Sequence, residues 1–170
     1  MTPVTKYWVC KIAPALIFEA MECLGGNAYV EEGGFPLLYR EAPVNAIWEG
    51  SGNVMCLDVL RAVEREPRTL ERVLASIEAL SGGEQRLKSA VEGVRIMLAE
   101  AVQDQTRARS VVELLALTAA GALLQSYAPP AVSDAFLATR LYGAFRHSYG
   151  VGLGGGDIHG IAARAAPVMG

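Results

Sequence analysis

LERVLASIEALSGGEQRLKSAVEGVRIMLAEA, residues 70–101, decides the fold class. Leu70, Val73, Leu74, Ile77 and Leu80 recur at spacings of three and four, which sets them on one face of a helix. Gly82-Gly83 then interrupts, since glycine accepts the left-handed conformation that closes a helix. Leu87, Ala90, Val91, Val94, Met97, Leu98 and Ala101 resume the same period, with Glu84, Arg86, Lys88, Glu92 and Arg95 mostly on the other faces. Two amphipathic helices joined by a short glycine turn are the repeating unit of a helical bundle.

Towards the N-terminus, Val9, Ile12, Ala13, Leu16, Ile17 and Ala20 give a helix from about Thr5 to Leu24, with a kink expected at Pro14 and a stop at Gly25-Gly26. Residues 25–45 hold turn formers and charge clusters without a sustained period, and read as a long ordered loop, a kind that is usually functional. A second helix is expected from Asn45 or Ala46 through Val54, Leu57, Leu60 and Val63, ending before Pro67. Towards the C-terminus, Thr106 is placed to cap a helix reaching about Tyr127 that is apolar all round its middle, and Pro129-Pro130 ends it. A last helix from about Val132 to Arg146 carries Phe136, Leu137, Leu141 and Phe145 inward, and the glycine-rich tail GVGLGGGD is expected to be irregular. No segment alternates at period two, so the chain reads as an all-α bundle of about six helices.

The 170 residues suffice for one substantial core without disulfides. At 52% hydrophobic and 19% charged, the chain has more apolar surface than an average domain, which implies a further domain or subunit to cover it. A net charge of −3 gives no global reason to bind nucleic acid or an anionic membrane. Cys10, Cys23 and Cys56 lack paired spacing, which excludes a disulfide framework and predicts reduced, mostly buried thiols in a cytoplasmic protein. The uncharged run Leu114–Leu124 is short of the ~20 residues a bilayer needs and reads as a buried helix, so no membrane partner is expected. The abrupt start, within what reads as a helix, is what a segment cut from a longer chain would show.

Unusual residues concentrate in ECLGGNAYVEEGGFPLLYREAPVNAIWEGSGN, residues 22–53. Glu49 follows Trp48 and precedes glycines that would let a ligand approach the backbone; such a carboxylate can act as a base. Its structural alternative is a solvated acid at a helix N-terminus. Ser51 and Asn53 stand at a helix start, where free N–H groups suit a pyrophosphate, or simple capping. Gly25 and Gly26 read as a helix C-cap, and Arg40-Glu41 as an ion pair fixing the loop. His147 and His159 have no ligand spacing, so no metal site is expected. The Gly152–Gly156 run lacks the flanking elements of a phosphate loop. Tyr127, Tyr142, Phe136 and Phe145 fit helix packing.

Taken in order, Glu22-Cys-Leu-Gly-Gly-Asn-Ala-Tyr29, Arg40-Glu41 and Trp48-Glu49-Gly50-Ser51-Gly52-Asn53 resemble the C-terminal signature of acyl-CoA dehydrogenases. LYREAPVNAIWEGSGNVMCLDVLR looks most like the AidB-like, alkylation-response branch, and a weaker likeness continues in SDAFLATRLYG. The resemblance implies an FAD-dependent oxidoreductase. Glu49 would remove the α-proton of an acyl-CoA thioester as the β-hydride passes to flavin, and Gly50 would lie at the substrate, where a backbone N–H holds the thioester carbonyl. Ser51, Gly52 and Asn53 would meet the flavin nucleotide, and Glu22, Gly25 and Gly26 the adenine end of a flavin bound chiefly by a neighbouring subunit. Glu22 replaces the usual Gln and cannot donate as an amide does; Ala28 replaces the usual Gly and would be strained at a positive φ.

On this resemblance residues 1–65 are the last part of the dehydrogenase C-terminal helical domain, 66–150 a helical extension and 151–170 a flexible tail. The expected partners are the N-terminal and β-domains of a full-length protein, a further copy in a homo-oligomer, and acyl-CoA. The isolated chain is expected to be inactive. The alternative is a helical oligomerisation or DNA-binding module with vestigial chemistry. Double-stranded DNA is a possible partner on the branch resemblance, with Arg107, Arg109, Arg140 and Arg146 as the cations that packing would have to gather. From Glu66 onward, however, ten basic residues meet ten acidic ones, whereas phosphate binding needs a clustered positive face.

Overall fold

A computed structural model describes residues 1–142, 149 and 156–165. Among these residues there are eight α-helices and no strand, so the chain is all-α as its periodicity required. The helices are α1 (Thr2–Leu24), α2 (Phe35–Asn45), α3 (Gly52–Arg65), α4 (Pro67–Leu80), α5 (Gln85–Gln103), α6 (Ala108–Tyr127), α7 (Pro130–Phe136) and α8 (Ile158–Ala165). They form two compact units, Met1–Thr69 with Met97–Ala116, and Leu70–Ile96 with Leu117–Gly170. Both units are discontinuous in sequence, and the first takes in Met97–Ala116.

In the first unit α1 packs against α2 and α3. It begins with Pro3 in its first turn, where a missing N–H costs nothing, and it continues as helix through Pro14. Its buried side chains are Val4 and Tyr7, not the expected Val9 and Leu16, which are 53% and 50% exposed. The stripe was read correctly as apolar, but this chain does not cover it. Phe18 of α1 meets Tyr39 of α2 with ring centroids 6.3 Å apart, a tilted pairing that leaves both rings partly exposed.

Residues 25–45 depart from the expected loop. Two short 3-10 turns, Gly25–Ala28 and Glu31–Gly33, lead into α2, which begins after Gly34 at φ 74. Pro36 lies in the first turn, which tolerates proline, and Pro43 lies inside the helix near its end, so the helix forms despite the turn formers that suggested a loop. The second expected helix correspondingly begins at Gly52, not near Asn45. Ala28 sits in a 3-10 turn with no positive φ and is 1% exposed, so the strain feared for an alanine there does not arise.

The second unit follows its pattern closely. Leu74 and Ile77 of α4 and Leu87, Ala90, Val91 and Val94 of α5 are its buried apolar face. Each fully buried leucine contributes about 1.5–3 kcal/mol. Ser81 Oγ donates to the Glu78 carbonyl at 2.7 Å, and Gly82 and Gly83, at φ 59 and 87, close α4. Arg86 reaches Glu84 at 2.9 Å and Asp134 of α7 at 2.7 Å, and the Tyr142 hydroxyl donates to the Arg86 carbonyl at 2.5 Å. The expected helix from Val132 is realised as α7 and a π-helical turn, Leu137–Leu141, with Leu137 and Leu141 buried. Phe136 is half-buried, while Tyr127 and Tyr142 are exposed, contrary to the packing roles expected of them. Phe145, Arg146 and His147 lie outside the described residues. In the tail, Ile158–Ala165 is helical despite the glycines before it, because the apolar Ile158, Ile161, Ala162 and Ala165 restore a helical period.

Asp104, not Thr106, is the acceptor before α6: its carboxylate receives the Thr106 N–H at 3.1 Å and the Thr106 hydroxyl at 2.6 Å. With that turn, Gln105–Tyr127 is the one described helical stretch long and apolar enough to cross a membrane. Val111, Val112, Thr118 and Ala122 of this stretch are at 0% exposure, as in the core helix of a folded domain. All three cysteines are free, and only Cys56 is buried; Cys10 is half-buried and Cys23 exposed, against the expectation of mostly buried thiols.

Candidate functional site

The turn between α2 and α3 gathers Glu49, Gly50, Ser51, Gly52 and Asn53 at the start of a helix. The Ile47 and Trp48 N–H groups both close onto the Val44 carbonyl, at 2.9 and 3.1 Å. The backbone then reverses through two left-handed residues, Glu49 at φ 53 and Gly50 at φ 111. Glycine takes this region freely, but for glutamate it costs roughly 1–2 kcal/mol. Glu49 is the only non-glycine residue at positive φ among those described. Such strain persists where surrounding structure over-determines it, often at functional positions.

The restraint comes from α1. Lys6 Nζ donates to the Trp48 carbonyl at 2.9 Å and to the Gly50 carbonyl at 2.6 Å, one on each side of Glu49. Lys6, Tyr7, Lys11, Gly50, Gly52 and Met55 line a small depression beside the turn. Gly52 packs beside the Tyr7 ring, at a distance where a Cβ would make ordinary contact. Below it, burial pushes the Cys56 thiol up to about 11 and raises the Tyr7 phenol, against the opposing pull of nearby Arg109.

Ser51 stands at the N-cap of α3 in the extended conformation of that position, φ −67 and ψ 165, and its side chain makes no capping hydrogen bond. The first-turn N–H groups of a helix have no intrahelical partner. Asn53 Oδ1 accepts from Arg109 Nε of α6 at 2.6 Å. Because arginine only donates, this bond fixes the amide orientation and leaves the Asn53 NH₂ for another acceptor. The donor set (first-turn N–H groups, an oriented amide and Ser51) suits an anionic group such as a phosphate.

Glu22, Gly25 and Gly26 do not join this cluster. They stand near the far end of α1, and sixteen residues of helix separate Glu22 from Lys6, about 24 Å at 1.5 Å per residue. Gly25, at φ 60, forms the C-cap and donates to the Glu22 carbonyl, so the capping role is realised. Gly25 and Gly26 are exposed, and a Cβ on either would meet nothing within 4 Å.

The expected Arg40–Glu41 pair is replaced by another. Arg40 forks onto Glu31, at 2.7 and 3.0 Å, because one helical step turns Glu41 to a different direction while the 3-10 turn brings Glu31 opposite. Hydrogen bonding from Arg40 lowers the Glu31 pKa. Of the arginines considered for DNA, Arg107 pairs with Glu100 at 2.7 Å, Arg109 holds Asn53, and Arg140 lies 4.5 Å from the Tyr149 ring centroid. No cluster of three metal-binding side chains occurs among the described residues, and His159 is exposed.

Lys6 escaped the sequence reading, and Arg109 entered it only as a cation for DNA, not as the partner of Asn53. Each contact joins residues more than forty positions apart, and neither cation stands in a local motif.

Residues 1–64 match the family model "Acyl-CoA dehydrogenase, C-terminal domain", and the chain is a homologue in the acyl-CoA dehydrogenase family. It is similar to "Putative acyl-CoA dehydrogenase AidB" of Escherichia coli (strain K12), 37% identical over 135 residues, covering 79% of this chain and 25% of that protein. It is also similar to "Acyl-CoA dehydrogenase family member 11" of Caenorhabditis elegans, 36% identical over 147 residues, 75% of this chain and 24% of that protein. The chain thus spans about a quarter of the length of these curated relatives.

Proposed function

We propose that this chain forms the base-bearing end of an FAD-dependent oxidoreductase acting on an acyl-CoA thioester, with Glu49 taking the α-proton. The supporting observation is the turn itself. Glu49 is held left-handed and exposed beside Trp48, with Lys6 bound to the carbonyls on either side of it. On this reading an N–H donor at Gly50 would polarise the thioester carbonyl, acidifying the α-proton. FAD would supply the hydride acceptor. Ser51, Gly52 and Asn53 would bind its nucleotide end, and Glu22, Gly25 and Gly26 that of a flavin in a neighbouring copy.

This chain alone is inactive on the same reading, since it supplies one side of the site. Phe18, Leu37, Leu38, Ile47 and Trp48 are between 48% and 68% exposed, an apolar surface suited to the remaining domains of a full-length cytoplasmic protein or to a further copy. That surface also favours a second reading, an oligomerisation module with vestigial chemistry. Its DNA-binding version draws less support, because Arg86, Arg95 and Arg107 are engaged with carboxylates. The deciding experiment measures acyl-CoA turnover by the full-length protein and its Glu49→Gln variant. Equal rates would remove Glu49 from the chemistry and favour the second reading.

A further inference from the structure

Lys6 spends its donors on two backbone carbonyls, those of Trp48 and Gly50, and so brackets the one left-handed glutamate of the turn. We infer that Lys6 is the positioning residue for Glu49, acting through the two peptide units it binds; this rests on the reading of Glu49 as the base. A left-handed non-glycine residue has right-handed and extended alternatives of lower intrinsic energy. Either alternative would rotate the Trp48 and Gly50 carbonyls relative to each other, and one ammonium group could no longer receive both. The cation on α1 therefore selects the backbone state that sets the direction of the Glu49 side chain. It also polarises the two amides it contacts. The N–H of Glu49 shares its amide with the Trp48 carbonyl, and the N–H of Ser51 shares one with the Gly50 carbonyl. Donation to a carbonyl strengthens the N–H of the same amide as a donor, here towards a thioester oxygen or a phosphate.

The test uses the full-length flavoprotein with Lys6→Met, Lys6→Gln, Lys6→Arg and Glu49→Gln variants. Acyl-CoA turnover and amide hydrogen exchange across residues 47–52 are measured on the same samples. Lys6→Met is expected to lower kcat about a hundredfold with little change in KM or flavin content, the loss that an ångström of misplacement brings. Lys6→Arg restores most of the rate, and Lys6→Gln repeats the kcat loss should the methionine variant fold poorly. Exchange at Ile47 and Trp48, whose N–H groups close onto the Val44 carbonyl, quickens about tenfold or more without the cation. Unchanged exchange in both Lys6→Met and Lys6→Gln overturns the proposal whatever the activity. An unchanged kcat in those variants also overturns it, provided that Glu49→Gln is inactive. If Glu49→Gln is instead fully active, the reading of Glu49 as base fails, and the exchange data still decide whether Lys6 holds the turn.

Discussion

Arg109 Nε donates to Asn53 Oδ1 at 2.6 Å, joining the first turn of α6 to the first turn of α3 across 56 positions of sequence. Both side chains are exposed, so solvent screens the bond and its net contribution is about 0.5–1 kcal/mol. A double-mutant cycle of Asn53→Ala and Arg109→Ala, followed by urea unfolding, is expected to show a coupling of that size. Strictly additive effects would mean that the bond contributes nothing in solution.

Glu49 and Gly50 share left-handed geometry and respond oppositely to substitution. Glu49→Gly removes the Cβ penalty at φ 53, and part of that gain is offset by the greater freedom of glycine in the unfolded chain. The expected result is a stabilisation of about 0.5–1 kcal/mol in urea unfolding, with loss of turnover in the full-length protein. Gly50→Ala introduces a Cβ at φ 111 and towards Met55, and is expected to destabilise by about 1–3 kcal/mol. A neutral Gly50→Ala would show that the turn readily adopts another backbone path.

The legible parts of this molecule are those whose signal is local. The α4–α5 stripe predicted Leu74, Ile77, Leu87, Val91 and Val94 as core, and all are buried, because helical period and packing face coincide there. Glu49 to Asn53 could be singled out because they are contiguous, and they do form one turn and helix start. What was missed is set by tertiary placement. Pro36 and Pro43 disguised α2: Pro36 suits its first turn, while Pro43 lies inside the helix although it has no N–H to give to the preceding turn. Arg40 chose Glu31 over adjacent Glu41 because neighbouring helical residues diverge by about 100°. Val9 and Leu16 of the α1 stripe stay exposed because periodicity fixes which residues share a face, not what packs against it.

Alkaline pH should loosen the first unit. Burial raises the Cys56 thiol to about 11 and shifts the Tyr7 phenol in the same direction. An unfolded thiol ionises near 8.5, so between roughly 8.5 and 11 the unfolded chain loses a proton that the folded chain keeps. Stability from this group is fully present below the unfolded pKa and falls as pH rises through the window. Cys56→Ala should flatten the decline in urea midpoint between pH 8.5 and 11, whereas Cys23→Ala, at an exposed position, should leave it unchanged. Equal slopes in the parent chain and Cys56→Ala would rule out the thiol as a source.

In the second unit Gly121 of α6 faces Leu87 and Leu137, and a Cβ there would lie 3.1 Å from Leu87 Cδ2 and 2.8 Å from Leu137 Cδ2. Two effects compete in Gly121→Ala. Alanine favours the helix by about 1 kcal/mol, while overpacking a filled core costs about 1–3 kcal/mol. Both leucines are at 0% exposure, within the core, and a 2.8 Å approach forces one of them to shift, so overpacking wins and the variant is expected to be less stable by about 1 kcal/mol. The sign should reverse once space is made. Leu137→Ala alone costs about 2–5 kcal/mol through its cavity, and adding Gly121→Ala to it should recover part of that loss because the new methyl fills the void as the helix gains propensity. Urea unfolding of the two single variants and the double variant reads out both signs. A Gly121→Ala chain more stable than its parent would show that α6 and the leucines are less closely packed than these distances require.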